Sequence, residues 1–269
     1  MKKVFGIFAV ALALVACNKN EMDVQSQTDN KYITITAQLA PKSAITKALF
    51  ENTTNNSIVV NWAKNEEIAI LYSYDNIDRK ARAEITSVDA SGTATITFVV
   101  LEGTPNNTPC KIVYPFSAGT TSSASDADSD GVKDTSVLLG SQDGTLNSGN
   151  LDVRVGAGTI QTTTQENYTS GNLTVTKQPV PQFAIFKFTV MNAEGTANVN
   201  VEQLDISIGS HGYTIKPSSA TSTLFAALPP VSDQTVTFYA TVGSSTLQAS
   251  KDNITFDAGK YYQSTVKVH

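Results

Sequence analysis

The chain has 269 residues, with 19 Lys and Arg against 24 Asp and Glu for a formal net charge of −5. Charge this sparse and mildly acidic offers no broad basic surface, which excludes nucleic acid and anionic lipid headgroups as electrostatic partners. Two cysteines and two histidines exclude a disulfide framework and a His/Cys metal cluster.

Met1-Lys2-Lys3, an apolar run over residues 4–16 and the close Leu14-Val15-Ala16-Cys17 are the parts of a secretory signal. Thirteen helical residues rise about 20 Å against about 30 Å of hydrocarbon, so the run is too short to span a bilayer. We read residues 1–16 as a bacterial lipoprotein signal peptide and Cys17 as the lipid-modified start of the mature chain, anchored in the outer membrane. Residues 17–30 are polar and aperiodic, as expected of a flexible tether reaching at most about 45 Å. With Cys17 committed to lipid, Cys110 has no disulfide partner and is expected to be a small buried hydrophobe.

Beyond the tether, Thr, Ser, Asn and Val abound and long helical periodicity is absent, the balance of an all-β protein. Residues 31–39 alternate strictly, with Ile33, Ile35, Ala37 and Leu39 on one face and Thr34, Thr36 and Gln38 on the other. That pattern predicts a half-buried strand. Residues 41–56 read as a polar loop carrying Lys42 and Lys47. Strands are predicted again at 57–61, 67–72, 83–88, 93–101, 111–115 and 136–139. Pro179 and Pro181 would interrupt sheet pairing and mark a border, after which strands are expected at 182–191, 199–208, 213–216, 223–227, 235–242, 246–249, 254–256 and 261–268. Regular short strands with polar turns indicate sandwiches. The expected organisation is thus two tandem β-sandwich domains, residues 31–177 and 178–269, each with strands enough for its own core.

Three stretches carry a family resemblance: Trp62-Ala63-Lys64-Asn65-Glu66-Glu67-Ile68-Ala69-Ile70, Phe183-Ala184-Ile185-Phe186-Lys187-Phe188 and Ile254-Thr255-Phe256-Asp257-Ala258-Gly259-Lys260-Tyr261-Tyr262. With the lipobox, and in this order, they resemble the fimbrillin family, the type V pilins and related lipoproteins of some Gram-negative anaerobes. The first resembles the family's Trp followed by an acidic residue and an apolar strand, the second the strand opening its second domain, the third its penultimate turn and last strand. The resemblance implies two Greek-key, transthyretin-like sandwiches and a surface-exposed fimbrial subunit or adhesin with no enzymatic activity. Its implied partners are other fimbrial subunits, joined by β-strand addition, and a host or bacterial surface ligand.

Family members are often cut by an Arg- or Lys-specific protease in the loop after the first strand, and Lys47-Ala48 lies in such a loop, with Lys42 as a rival site. Cutting would release the first strand and open its groove to a strand from another subunit, with main-chain pairing providing affinity and alternate side chains register. Burial of Ile33, Ile35 and Leu39 amounts to about 7 kcal/mol, comparable to the stability of a small domain. The chain closes at Thr265-Val266-Lys267-Val268-His269 without a spare strand, which favours a tip or accessory role over a stalk.

The sharpest chemical motif is Asp126-Ala127-Asp128-Ser129-Asp130-Gly131-Val132-Lys133-Asp134. Carboxylates at the first, third and fifth positions with Gly at the sixth can wrap oxygen ligands around Ca²⁺, and Asp134 falls at the ninth. The twelfth position is Val137, so the bidentate acid of an EF-hand is missing. His211, within Gly209-Ser210-His211-Gly212, reads as a turn residue, and no arrangement of nucleophile and positioned base is evident. The alternative to a fimbrial role is a lipid-anchored glycan-binding module using exposed rings among Trp62, Tyr72, Tyr74, Tyr114, Tyr168, Tyr213, Tyr261 and Tyr262, with Trp62 expected to be structural.

Overall fold

The computed structural model describes residues 31–42, 47–52, 57–146, 151–165 and 168–269. The lipoprotein signal, Cys17 and the tether lie outside the described residues.

The first strand, β1 (Tyr32–Leu39), alternates exposed and buried along its whole length, with Ile33, Ile35, Ala37 and Leu39 inside. Two strands, β2 (Lys47–Asn52) and β3 (Ser57–Asn61), pair as an antiparallel hairpin. The polar stretch predicted as a loop therefore contains a strand, and Lys47 opens it opposite Asn61. Its KALFEN sequence has too short an apolar pattern to be separated from a loop by periodicity. Next come β4 (Glu67–Tyr74), β5 (Ile77–Val88), β6 (Ala94–Leu101) and β7 (Thr108–Tyr114). Residues 136–139 form part of a short helix, α1 (Thr135–Leu139), rather than the predicted strand, an ambiguity inherent in a four-residue apolar run. A two-residue strand, β8 (Ser141–Gln142), precedes a long antiparallel pair, β9 (Arg154–Gln165) and β10 (Tyr168–Pro181). Sequence reading passed over both strands of that pair because their Thr, Gly and Gln carry little apolar alternation.

Seven strands close into a barrel in the order β1-β10-β9-β7-β4-β5-β6. A sandwich was expected of this stretch; the sheet instead curls until β1 bridges its two ends. Along eight residue pairs β1 runs antiparallel to β6, whereas it meets β10 in parallel at only Ile35 with Gly171 and Thr36 with Asn172. The barrel interior holds Ile33, Ile35, Leu39, Ile68, Ile70, Ile85, Ile96, Ile112 and Ile160. Pro179 and Pro181 do not stop β10; Pro179 lies within the second of two slips in its register against β9, and Pro181 is its last residue, opposite Arg154, positions in which a residue without an N–H is tolerated.

The remaining strands are β11 (Ala184–Asn192), β12 (Gln203–Ile208), β13 (His211–Ile215), β14 (Thr223–Leu228), β15 (Val231–Val242), β16 (Ser245–Phe256) and β17 (Tyr261–Val268). They form a three-stranded sheet, β14-β11-β17, and a five-stranded one, β16-β15-β12-β13-β8. Their shared core of Phe188, Leu204, Ile206, Ile215, Leu224 and Val266 also takes in Ala69, Leu71, Val113, Leu138, Leu139, Leu151 and Val153 from earlier in the chain. β4 is accordingly buried on both faces, Ile68 and Ile70 toward the barrel interior and Ala69 and Leu71 toward the second core. Among the described residues no helix is long and apolar enough to cross a membrane.

Candidate functional site

The residues after β1 are held by side chains from five other places in the chain. Ala40 accepts a hydrogen bond from Trp62 Nε1 at 3.0 Å and donates its N–H to Gln178 Oε1 at 3.2 Å. Lys42 then turns its ammonium fully inside. Lys42 Nζ donates to Asp152 Oδ2 at 3.1 Å and stands 3.8 Å from Glu66 Oε2. The same nitrogen lies 4.1 Å from the Trp62 ring centroid and 3.8 Å from that of Tyr114, within cation–π range. The two rings meet edge to face at 5.3 Å. Tyr114 Oη donates to Glu66 Oε1 at 3.2 Å, and Arg154 Nε donates to Asp152 Oδ1 at 2.6 Å. Lys42, Arg154, Glu66 and Asp152 thus meet around two aromatic rings at the end of the barrel.

Burial outweighs the attraction of Asp152 and Glu66 for the Lys42 ammonium and brings its pKa down to about 8. Burial also keeps the Tyr114 hydroxyl protonated well above its ordinary range, with the Glu66 charge adding to the effect. Sequence reading named Lys42 only as a rival cleavage site. Its side chain is 0% exposed, so no protease pocket can receive it in this fold. Nothing in a loop lysine beside a proline announces such burial; the acids that balance it lie 24 and 110 positions further on.

Lys47-Ala48 begins β2, so a protease that reads extended chain must first separate it from β3. Cys110 is buried as expected, and burial pushes its thiol up to about 12, far from a reactive thiolate. His211 opens β13 opposite Ile208, with the tight turn formed by the preceding Gly209 and Ser210.

Asp126, Asp128 and Asp130 place one carboxylate oxygen each within 4.8 Å of one another. Gly131 at the sixth position has φ of +82°, and an added Cβ would stand 2.8 Å from Leu71 Cδ1, so the turn demands glycine. Crowding is visible in the Asp128 carboxyl, whose pKa is raised first by its hydrogen bond with Asp126 and further by the charges of Asp130 and Asp126. Asp134, expected at the ninth ligand position, instead accepts the Ala127 N–H at 3.2 Å. Both Asp126 oxygens accept backbone N–H groups, from Asp130 at 2.9 Å and Gly131 at 2.7 Å. Three of the four aspartates thus lie close enough together to share a divalent cation, and the fourth braces the loop.

Four of the eight candidate sugar-stacking rings are withdrawn from solvent. Trp62, Tyr72, Tyr114 and Tyr213 are buried, while the Tyr168 side chain lies outside the described residues. Tyr72 lines part of a cleft of about 530 Å³ beside the acidic loop, together with Asp78, Arg79, Lys111 and Asp130.

No protein-family model matches the chain, and no curated protein matches it. Similar solved structures include a fimbrial protein from Bacteroides ovatus, with 11% identity and TM-score 0.41 over 89% of this chain and 49% of that one. This chain thus spans about half of that protein. A provisionally assigned cell adhesion protein from Bacteroides fragilis has 14% identity and TM-score 0.43, covering 87% of this chain and 92% of that one. A fimbrial assembly protein from Parabacteroides distasonis has 8% identity and TM-score 0.36, covering 88% and 90%. These neighbours are of the class named by the resemblance to fimbrillins; at such identities and scores the functional reading rests on the chain's own geometry.

Proposed function

We propose that this protein is a surface fimbrial subunit or fimbrillin-like adhesin, exported as a lipoprotein on Cys17 and acting by assembly and contact without chemistry on a substrate. The observation that carries the reading is the seat of β1, whose four apolar side chains fill the barrel while its second edge pairs with β10 at only two positions. A strand held mainly along one edge can be replaced by another with the same alternation, since backbone pairing is generic and side-chain pockets set the register. In this reading a cut at Lys47-Ala48 frees β1 and opens the barrel to a strand from a neighbouring subunit. β17 is a poor donor because Val266 and Val268 are buried in the core of its own sheet. The acidic loop Asp126–Asp130 is read as a weak calcium site that orders the surface beside the barrel.

The test is the intact mass of the protein recovered from the cell surface. A polypeptide beginning at Ala48 supports strand exchange. One beginning at acylated Cys17 leaves β1 in place and points to an anchored binding lipoprotein. The second reading, a glycan-binding module, draws on the cleft beside the acidic loop, lined by Asp78, Arg79 and Lys111, and retardation on polysaccharide affinity gels would favour it.

A further inference from the structure

Lys42 and Asp152 bring a primary amine and a carboxyl group into contact at a place withdrawn from solvent, with side chains 0% and 7% exposed. Nζ lies 3.1 Å from Oδ2, so the carboxyl carbon is at most about 4.3 Å from it and within about 1 Å of the near-attack range. The Trp62 and Tyr114 rings stand 4.1 and 3.8 Å from the same nitrogen and shield it from water. Burial that lowers the Lys42 pKa to about 8 leaves roughly one molecule in ten with the free amine at pH 7. The free amine is the form that attacks a carbonyl carbon. Glu66 and Arg154 face the same pair. Tyr114 Oη holds Glu66 through Oε1, and the second oxygen, Oε2, stands 3.8 Å from Nζ, where it can take a proton. Arg154 Nε donates to Asp152 Oδ1 at 2.6 Å, where negative charge collects as the carbon is attacked.

We propose that Lys42 and Asp152 condense into an intramolecular isopeptide bond, with Glu66 as the proton carrier. Nζ gives one proton to Glu66 and attacks Asp152 Cγ, forming the C–N bond, while Oδ1 takes the negative charge against Arg154. Nζ then loses a second proton, both protons pass to Oδ2, the Cγ–Oδ2 bond breaks and one water leaves. The ammonium and the carboxylate become a neutral amide, Glu66 ends as it began, and no outside reagent is consumed. Free amines and carboxylates in water remain ions, but partners well oriented by a fold react at effective concentrations of about 10⁵ M or more. The bond would span 110 positions of sequence and tie the exit of β1 to the approach to β9. A cut at Lys47-Ala48 would then leave β1, and the segment before it, joined to the rest of the protein. The bond goes beyond the fimbrial reading and does not depend on it: a chain that has condensed keeps its first strand, and strand exchange belongs to chains that have not. The 3.1 Å pair is the unreacted state, and Lys42 titrates only in that state.

Peptide mapping of the full-length protein tests the bond. After incubation in the folded state at pH 8, the chain is unfolded and digested with trypsin, which cuts after Lys42 only if its amine is free. The expected product is a branched peptide joining residues 32–47 to residues 134–154, lighter than the two together by one water, about 18 Da. Release of residues 32–42 as a free peptide throughout overturns the bond. So does dehydration confined to residues 134–154 without a branch, since the Asp143-Gly144 step there can lose water by itself. Glu66→Gln, which leaves both reacting groups in place, is expected to slow the appearance of the branch by about a hundredfold. Formation at the wild-type rate in that variant would overturn the role of Glu66 as proton carrier. The wild-type map decides the bond whether or not Glu66→Gln folds.

Discussion

Lys42 Nζ and Asp152 Oδ2 meet at 3.1 Å across 110 positions of sequence, inside a barrel end from which both side chains are almost fully withdrawn. The pair ties the exit of β1 to the entry of β9 at the point where the chain leaves the barrel. Breaking such a pair from one side leaves a buried charge behind, a loss of about 3 to 5 kcal/mol. At Lys42, however, burial already outweighs the attraction of the acids and brings the ammonium down to about 8, so Lys42→Met, which keeps the stem and removes the charge, is expected to lose far less than that in urea unfolding at pH 7. A loss of the full amount, about 3 to 5 kcal/mol, would mean that the acids hold the ammonium more strongly than its burial disfavours it.

The same residue gives stability a pH dependence of definite sign. An unfolded lysine holds its proton to about 10.5, the folded Lys42 only to about 8. Between those values the unfolded state binds more protons, so the contribution of Lys42 to stability rises with pH across that window and is flat below it. At about 1.36 kcal/mol per unit the rise is bounded by about 3 kcal/mol. The charged partners facing Lys42 are Glu66, Asp152 and Arg154. Subtracting the Lys42→Met curve from the wild-type curve isolates the effect, and a difference that falls between pH 8 and 10 would contradict it.

Ile35 and Leu39 are both 0% exposed at the closing strand of the barrel. Ile35→Ala and Leu39→Ala should each cost about 2 to 5 kcal/mol, and should accelerate the exchange of amide hydrogens in β6, which pairs with β1 along eight residues. Protection in β6 equal to wild type in either variant would show that the barrel holds without a tightly seated β1.

Lys47→Ala is expected to leave the fold intact and to block processing between Lys47 and Ala48. Mass spectrometry of surface material reads it directly. Normal assembly with an N-terminus still at Ala48 in the variant would assign the cut to a protease indifferent to lysine.

Calcium titration of the wild type beside Asp128→Ala tests the acidic loop. Weak binding with heat at millimolar calcium, lost in the variant, is the expected outcome, since three carboxylates converge but the twelfth position is Val137 and Asp134 braces Ala127. An absence of heat from the wild type would leave the loop as a set of carboxylates capping their own backbone.

What residue order determined by itself was local. Strict alternation in residues 32–39 was enough to assign β1 and its buried face, because a period of two has only one way to lie on a core. The spans of β3 and β17 were legible too, while Thr-rich β9 and β10 escaped because their polar side chains do not mark a face. The Asp-x-Asp-x-Asp-Gly spacing placed three carboxylates together, since a turn of that length can hardly do otherwise. Closure of the sheet into a barrel was decided only in three dimensions, by coiling that brings β1 from β6 to β10 across more than a hundred residues. So was the fate of the lysines. Lys42 and Lys47 look equivalent in one polar stretch, yet one is sealed between two rings and two acids drawn from the β3–β4 connection, β7 and the approach to β9, and the other begins a paired strand. Burial and charge balance are sums over distant neighbours, and only the folded chain supplies the terms.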